Sequence, residues 1–270
     1  MTTQRRLIDI VKGVVRRARL PRFFNRKGRR WHPTWQQYLC HLVYTGHAPS
    51  WPRAARFMRD FYGVQMDWTC WRKALLKWPA WAWAAVARAS AGDAACRVAA
   101  IDGTTLARSH PSQHYYTHIL GGRTARPLQQ VVMIDVTRRK FLAWRLRARP
   151  RGETRDVPYL WRHAPVKPEG VLMDKGYDAE WVHEWLDAHG AWSVAPTRRR
   201  CRRGRHRKVL RDCFDYGLYW QRNLVESLIG AVKRLYGGHV RGRTWRAQRA
   251  EVYSKLIAYN LGVLTWRVFA

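Results

Sequence analysis

Acidic residues are scarce in this sequence. Its 270 residues include 18 Asp and Glu against 51 Lys and Arg, a net charge of +33 with an isoelectric point near 11.3. Self-repulsion of this size opposes compaction unless a polyanion neutralises it, and nucleic acid is the polyanion we expect. GC-rich codon usage could explain why 41 of the basic residues are Arg, but not why carboxylates are so few.

Long apolar runs and paired cysteines are also missing. The longest uncharged apolar stretch, Trp78 to Ala87, has ten residues and contains a Pro, whereas a membrane helix needs about 20. The first residues contain no signal-peptide h-region or small-residue cleavage site, so we expect no signal peptide among them. The five Cys are scattered, as is typical of reduced thiols, and a zinc site at Cys201, His206 and Cys213 would lack a fourth ligand. We expect a cytoplasmic, nucleoid-associated protein without membrane contact.

The first third of the chain has helical periodicity. Residues 5–20 form an amphipathic basic pattern that ends at Pro21. Further helices are predicted at 34–44, 50–62, 67–78 and 81–89, with Thr34, Ser50 and Asp67 as candidate N-caps. The region up to about Gly92 is therefore predicted to be all-α.

Two of these predicted helices are joined by a short turn at Gly63 and Val64, as in a helix-turn-helix. Ala54, Ala55 and Phe57 are placed to pack beneath Val64 and Trp71. The exposed candidates for DNA contact on the second helix are Thr69, Arg72, Lys73 and Lys77. A helical bundle that serves dimerisation is the alternative.

The pattern changes after Gly92 to strands and helices together. Strands are predicted at 97–102, 128–136, 140–147, 170–174 and 191–195, and helices at 179–189, 219–236 and 246–266. This order indicates an α/β or α+β catalytic domain. We therefore predict two domains, a helical DNA-binding domain at 1–92 and a catalytic domain at 93–270.

Two of the few carboxylates end apolar strands. Asp102 follows "RVAAI" and Asp174 follows "GVLM", and Gly103 and Gly176 come soon after them. A carboxylate at the end of a buried strand is costly unless it is paired or bound to a cation. We read the glycines as turns that leave both carboxylates facing a cleft, which suggests a magnesium site. Helix caps or salt bridges to Arg are the alternative.

Other carboxylates are assigned structural roles. Asp135 precedes the predicted turn at 137–139 and is expected to satisfy its backbone. Glu153, Asp156 and Asp178 are expected to cap helices.

One face of the helix predicted at 219–236 is not a core face. The offsets 3, 4 and 7 place on it the four residues Tyr219, Arg222, Glu226 and Lys233. This stripe could place Glu226 on a metal, with Arg222 and Lys233 on phosphates and Tyr219 against a sugar or base. Taken alone, it could also be a solvated charged face.

The spacing Tyr219-x2-Arg222-x3-Glu226-x6-Lys233 resembles the signature of bacterial insertion-sequence transposases of the DDE type, the group of insertion sequences four and five. "IDGTT" at Asp102 and "MDKGYDAE" at Asp174 resemble the two Asp motifs of that family, 72 residues apart, with 52 more to Glu226. The resemblance covers residues 97–266. It implies an RNase H-like fold without a large insertion domain, and Asp102, Asp174 and Glu226 as the metal-binding triad.

The resemblance also implies an activity. We expect a transposase whose triad holds two Mg²⁺ ions, about 3.5–4 Å apart and replaceable by Mn²⁺, for in-line displacement at phosphorus. Its partners would be double-stranded DNA, as terminal inverted repeats and as target, and a second copy in a homodimeric synaptic complex. The alternatives are a structure-selective nuclease on the same fold and a non-catalytic DNA-binding protein derived from a transposase.

Overall fold

The computed structural model describes residues 3–24, 32–46, 49–108, 118, 121, 126–198 and 203–262. The chain forms two compact units. The first contains Met1–Ala91 together with Arg234–Ala270, and the second contains Gly92–Lys233.

The N-terminal part of the first unit is helical, as the periodicity predicts. Its helices are α1 (Thr3–Arg17), α2 (Thr34–Gly46), α3 (Trp51–Tyr62), α4 (Trp68–Leu76) and α5 (Ala80–Ala91). The predicted apolar stripe of α1 is buried through Leu7, Val11, Val14 and Val15. No helix in the described ranges combines the length and the apolarity that a membrane span requires.

The turn between α3 and α4 is well defined. Gly63 ends α3 with a φ of 64°, and its N–H donates to the carbonyl of Arg59 at 3.1 Å. Asp67 caps α4 as predicted, because its Oδ1 accepts from the Thr69 N–H at 2.8 Å. The two other predicted caps are wrong: Ser50 makes no capping bond, and Thr34 Oγ1 donates to the Pro21 carbonyl at 2.6 Å.

The C-terminal segment clusters with the helical unit, whereas the predicted boundaries place it in the catalytic domain. It contains the two-residue strand His239–Val240 and helix α11 (Trp245–Asn260), which packs against α2 and α5. Buried polar contacts accompany this packing: Ser254 Oγ bonds His41 Nδ1, and Asn260 Nδ2 donates to Ser90 Oγ at 3.2 Å. Residues beyond 262, where the sequence predicts that the last helix continues, lie outside the described ranges.

The second unit is built on a mixed sheet flanked by helices, as expected. Its strands are β1 (Val98–Arg108), β2 (Leu128–Asp135), β3 (Lys140–Arg147), β4 (Gly170–Met173) and β5 (Trp192–Val194). Their order is β3-β2-β1-β4-β5, antiparallel between β1, β2 and β3 and parallel between β1, β4 and β5. The helices are α6 (Val157–His163), α7 (Glu180–Asp187), α8 (Arg205–Asp212), α9 (Tyr216–Tyr219) and α10 (Asn223–Tyr236).

Three elements differ from the prediction. β1 does not end at Asp102 but continues to Arg108, because Gly103 and the residues after it pair with β2. The helix predicted at 219–236 is three pieces: α9, a 3-10 turn at Trp220–Arg222, and α10. Helix α8 lies in a region predicted to be a basic loop.

The structure also tests the roles assigned to three carboxylates. Asp135 satisfies its turn as predicted, since its carboxylate accepts from Arg138 N at 2.8 Å and Nε at 2.7 Å. Asp156 is not a helix cap but a fully buried partner of Arg145 and Arg147. Asp178 is not a cap either, because it pairs with Arg207 Nε at 2.6 Å.

Candidate active site

Asp102 and Asp174 lie side by side on neighbouring strands. β1 and β4 are paired in parallel up to Ile101 opposite Met173, and each Asp is the next residue. Because paired strands are about 4.8 Å apart, the two carboxylates start from adjacent positions. β4 stops there while β1 continues with β2, so the sheet opens beside β1 where both carboxylates begin.

The Asp102 carboxyl group is partly removed from water. Burial raises its pKa from the ordinary value of 3.8 to about 6, against a lowering by the Gly103 backbone hydrogen bond and by Arg222. The Gly103 N–H donates to Asp102 Oδ1 at 2.8 Å. The charges of Asp174 and Glu226 raise the pKa further. This concentration of negative charge favours a cation at the same place.

Asp174 is held by the turn that follows it. Its Oδ1 accepts from the Gly176 N–H at 2.9 Å, which starts the 3-10 turn Lys175–Tyr177. A Cβ on Gly176 would lie 3.0 Å from the same oxygen, closer than nearly all real contacts. Gly176 therefore gives the carboxylate the room to fold back on its own backbone.

Arg222 links Asp102 to Glu226. It lies in the 3-10 turn before α10 and binds the Glu226 carboxylate one helical turn further on. Its Nη1 is also 3.6 Å from Asp102 Oδ2. The Arg222 side chain is only 13% exposed, whereas that of Glu226 is 56% exposed. The guanidinium is therefore shared between two of the three predicted triad carboxylates.

The other two residues of the stripe also lie at this site. Lys233 Nζ donates to Thr104 Oγ1 at 2.7 Å, and Thr104 is two residues after Asp102, on the same face of β1. The Tyr219 ring has the Arg222 guanidinium 6.0 Å from its centroid. The interruption between α9 and α10 thus does not separate the four residues, because Arg222 and Lys233 both reach β1.

Residues 95–261 of the chain match the family model of the transposase DDE domain. The chain belongs to this family. Among curated proteins, none is significantly similar in sequence. Among solved structures, the piggyBac transposase in a synaptic complex with hairpin DNA is similar in fold, with a TM-score of 0.53 at 10% identity, over 96% of this chain and 72% of the other. The mixed sheet with flanking helices is the RNase H-like fold of DDE transposases.

For this DDE transposase, the donor set at the site suits a hard divalent cation. Asp102 and Asp174 offer carboxylate oxygens, which Mg²⁺ and Mn²⁺ prefer. Within the described residues, no three His, Cys, Asp or Glu side chains are close enough together to hold a metal ion as they stand. Glu226 is instead bound to Arg222. The Asp pair fits a metal, and Glu226 would have to exchange Arg222 for it.

A fourth carboxylate, Glu153, lies beside the site and was missed in the sequence, where it was interpreted as a helix cap. Its Oε1 accepts from Gln129 Nε2 at 3.1 Å, and its Oε2 accepts from Tyr177 Oη at 3.0 Å. Burial and the charge of Glu153 raise the pKa of Tyr177, so the phenol keeps its proton. Glu153 therefore connects β2 to the turn that follows Asp174.

Gly103 is the sequence signal that could have revealed this contact. A Cβ at this position would lie 2.0 Å from Glu153 Oε1. Gly103 lies within β1 and is paired with Val131 of β2, so its interpretation as a turn after Asp102 is wrong. The absence of a side chain lets the Glu153 carboxylate approach the strand that carries Asp102.

The residues predicted to contact DNA from the candidate helix-turn-helix lie in the first unit. Phe57, Val64 and Trp71 are buried, as the packing of that motif requires. Arg72 and Lys73 are exposed on α4, and Lys77 is exposed just after it. Thr69 is half-buried and donates its hydroxyl to Asp67 Oδ1.

Proposed function

We propose that this DDE transposase belongs to the insertion-sequence four or five type, cleaves DNA at the ends of its own element and joins the 3′ ends to target DNA. The observation that carries the proposal is the parallel register that makes Asp102 and Asp174 neighbours, next to the helix that contains Glu226. These three carboxylates are the ones that the family resemblance identifies as the triad, and they follow each other along the chain in the order of the family.

In the proposed site, Asp102, Asp174 and Glu226 hold Mg²⁺, or Mn²⁺ in its place. Divalent cations supply charge stabilisation at phosphorus and activate the attacking oxygen, and two of them serve both the entering and the leaving group. The residues of the chain orient the DNA strand so that the attacking and leaving oxygens lie in line at the phosphorus. Arg222 offsets the repulsion between Glu226 and Asp102, since it contacts both.

Three residues of the stripe serve the DNA strand. Lys233 and Arg222 contact phosphates next to the scissile bond, and Tyr219 packs against a sugar or base. Support comes from their position: Lys233 reaches Thr104, and Arg222 reaches Asp102. Two cations within reach of the carboxylates can bring a phosphate to the metal-binding oxygens in spite of the charge on both.

The first unit contributes DNA binding in this proposal. Arg72, Lys73 and Lys77 on or next to α4 contact the terminal inverted repeats, and the net charge of +33 supports binding of two long DNA segments, the element end and the target. The active assembly is a homodimer that brings two element ends together.

A strand-transfer assay tests the function. The substrate is a duplex that ends in the inverted repeat flanking the gene, with a free 3′-hydroxyl, and the target is a supercoiled plasmid. We expect Mg²⁺-dependent joining by the full chain and by the control Asp187→Asn, whose carboxylate is 70% exposed, but none by Asp174→Asn.

The alternatives give different products. Nicking without joining would indicate a structure-selective nuclease. Binding without nicking would indicate a non-catalytic DNA-binding protein. Either result overturns the proposal.

A further inference from the structure

The turn that follows Asp174 is anchored by the side chain of Tyr177. This residue ends the 3-10 turn Lys175–Tyr177 and is only 1% exposed. Its backbone N–H donates to the Asp174 carbonyl at 3.1 Å, and its hydroxyl donates to Glu153 Oε2 at 3.0 Å. A contact that fixes the Tyr177 side chain therefore also fixes the backbone from which the Asp174 carboxylate starts.

Asp174 depends on this turn, whereas Asp102 is held by the sheet itself. Asp102 lies inside β1, where it is paired with Val132 of β2. The pairing of β4 with β1 ends at Met173, and its pairing with β5 ends at Leu172. The backbone of Asp174 is thus outside both ladders, and its position is set by the turn and by the residues that the turn contacts.

Glu153, the acceptor of the Tyr177 hydroxyl, is fixed to the sheet by Gln129 of β2. Gln129 Oε1 accepts from the Arg151 N–H at 2.8 Å. Its Nε2 donates to the Arg151 carbonyl at 2.9 Å and to Glu153 Oε1 at 3.1 Å. Gln129 is 6% exposed and is paired with Thr105 of β1. The Glu153 carboxylate therefore connects the sheet to the turn.

The space that Glu153 occupies is provided by Gly103. Successive residues of a strand point to opposite faces, so the Gly103 position faces away from Asp102 and Thr104. A Cβ at Gly103 would lie 2.0 Å from Glu153 Oε1. Glu153 therefore lies against the back of the strand that carries Asp102, which suits a residue that supports the metal ligands without being one of them.

Both partners of Glu153 are uncharged donors. In a chain with 51 Lys and Arg, its hydrogen bonds within the described ranges come from an amide and a phenol, and it forms no ion pair there. Burial and the charge of Glu153 raise the pKa of Tyr177, so the phenol remains a donor. A hydrogen bond to an ionised acceptor is roughly twice as strong as a neutral one. The Tyr177 hydroxyl is therefore firmly held.

We propose that Glu153 and Tyr177 are positioning residues for the metal site. Glu153 holds the Tyr177 hydroxyl. Tyr177 in turn holds Asp174 beside Asp102, where both carboxylates can bind the same cation. The inference rests on the proposed function, which assigns the cation to these carboxylates and Glu226. Residues that orient metal ligands without touching the metal typically change metal affinity by about 10- to 100-fold when they are removed.

The experiment measures Mn²⁺ binding to the full chain without DNA, from the electron paramagnetic resonance signal of the free ion. Tyr177→Phe keeps the ring and removes only the hydroxyl, and it should weaken Mn²⁺ binding about 10-fold. Glu153→Ala should weaken it as much, and the double variant no further, because both changes remove the same hydrogen bond. Glu153→Gln, which keeps a hydrogen-bonding group for Tyr177, should retain most of the affinity. Glu184→Gln, at an exposed carboxylate of α7, is the control and should bind Mn²⁺ like the unmodified chain.

Two further readouts separate positioning from stability. Urea unfolding of each variant shows whether the protein is folded under the conditions of the Mn²⁺ measurement, and a merely structural role would lower the unfolding free energy without changing the Mn²⁺ affinity of the folded protein. In DNA cleavage, Tyr177→Phe should raise the Mg²⁺ concentration for half-maximal activity by a larger factor than it lowers the maximal rate.

The outcomes distinguish this inference from the proposed function. Unchanged Mn²⁺ affinity in Tyr177→Phe and Glu153→Ala, with binding lost in Asp174→Asn, would overturn the positioning role alone. Additive losses in the double variant would show that Glu153 does not act through Tyr177. Mn²⁺ binding that is absent from the unmodified chain, or that Asp174→Asn leaves unchanged, would contradict the proposed metal site and with it this inference.

Discussion

Asp102 and Asp174 occupy equivalent positions on two parallel strands, one residue beyond the pair Ile101 and Met173. Their proximity is a consequence of sheet register, fixed by backbone hydrogen bonds and not by flexible loops. Two carboxylates so placed repel each other, and burial raises the pKa of Asp102 to about 6. A divalent cation relieves both costs, which is why this register is the basis of the proposed metal site.

Arg222 contacts both Asp102 and Glu226 and can be tested by removal. Arg222→Ala should weaken DNA binding and make the slope of log K against log salt shallower by roughly 0.9, the loss of one phosphate contact. Cleavage should fall as well, although half-maximal activity should need less Mg²⁺ because the competing guanidinium is gone. Arg234→Ala, an exposed arginine of the same helix, is the control for lost charge alone. An unchanged salt slope in Arg222→Ala would show that Arg222 does not contact a phosphate.

Thr104 positions Lys233 if their 2.7 Å hydrogen bond persists with DNA bound. Thr104→Val and Lys233→Met should each weaken DNA binding, and the double variant should be no weaker than Lys233→Met. The coupling in this double-mutant cycle measures the positioning effect. Thr105→Val, at the exposed neighbouring position on the opposite face of β1, should change little. Strictly additive effects would show that Thr104 does not act through Lys233.

Gly103→Ala should destabilise the second unit, because the new Cβ would lie 2.0 Å from Glu153 Oε1. Overpacking of this kind costs typically about 1–3 kcal/mol of unfolding free energy, measurable by urea denaturation. Glu153→Ala in the same chain should restore part of the loss. Gly152→Ala, where the new Cβ meets no atom within 4 Å, is the control. Equal unfolding free energies of Gly103→Ala and Gly152→Ala would contradict the contact between Gly103 and Glu153.

His41 should make the first unit sensitive to acid. Burial lowers its pKa from 6.5 to about 3, so the folded state holds the ring neutral while the unfolded state takes up a proton below pH 6.5. Stability is therefore fully present above pH 6.5 and is lost as the pH falls toward 3, by an amount on the order of 4 kcal/mol. His41→Gln should flatten the pH dependence of the unfolding free energy in this window. The same steepness in the variant would assign the acid sensitivity to other groups.

Local patterns were enough to predict most of the helices and strands, and the family resemblance supplied the proposed triad. Contacts distant in sequence were not predictable in the same way. Glu153 reaches the site only because β1, β2 and the turn after Asp174 converge on it. Helix α8 has only two apolar residues, Val209 and Leu210, and buries none of its residues, and part of its support comes from Glu180, which accepts from the His206 N–H at 2.8 Å.

The sequence pattern also could not show that α11 belongs to the helical unit. Its buried face includes polar residues such as Gln248, Ser254 and Asn260, so it has no apolar stripe to indicate which unit covers it. The partners of Ser254 and Asn260 are on α2 and α5, where Ser254 bonds His41 and Asn260 bonds Ser90. Sequence periodicity does not report such polar complementarity.

The most direct test of the account is a metal-specificity switch at Asp102. A thiolate is a soft ligand that the hard Mg²⁺ ion binds poorly and that Mn²⁺ accepts better. Asp102→Cys should therefore cleave element-end DNA in Mn²⁺ but not in Mg²⁺, while Asp102→Ala cleaves in neither, and both should bind DNA about as tightly as the unmodified chain. Cleavage by Asp102→Ala in Mg²⁺, or a Cys variant with the metal preference of the unmodified chain, would contradict the assignment of Asp102 as a metal ligand.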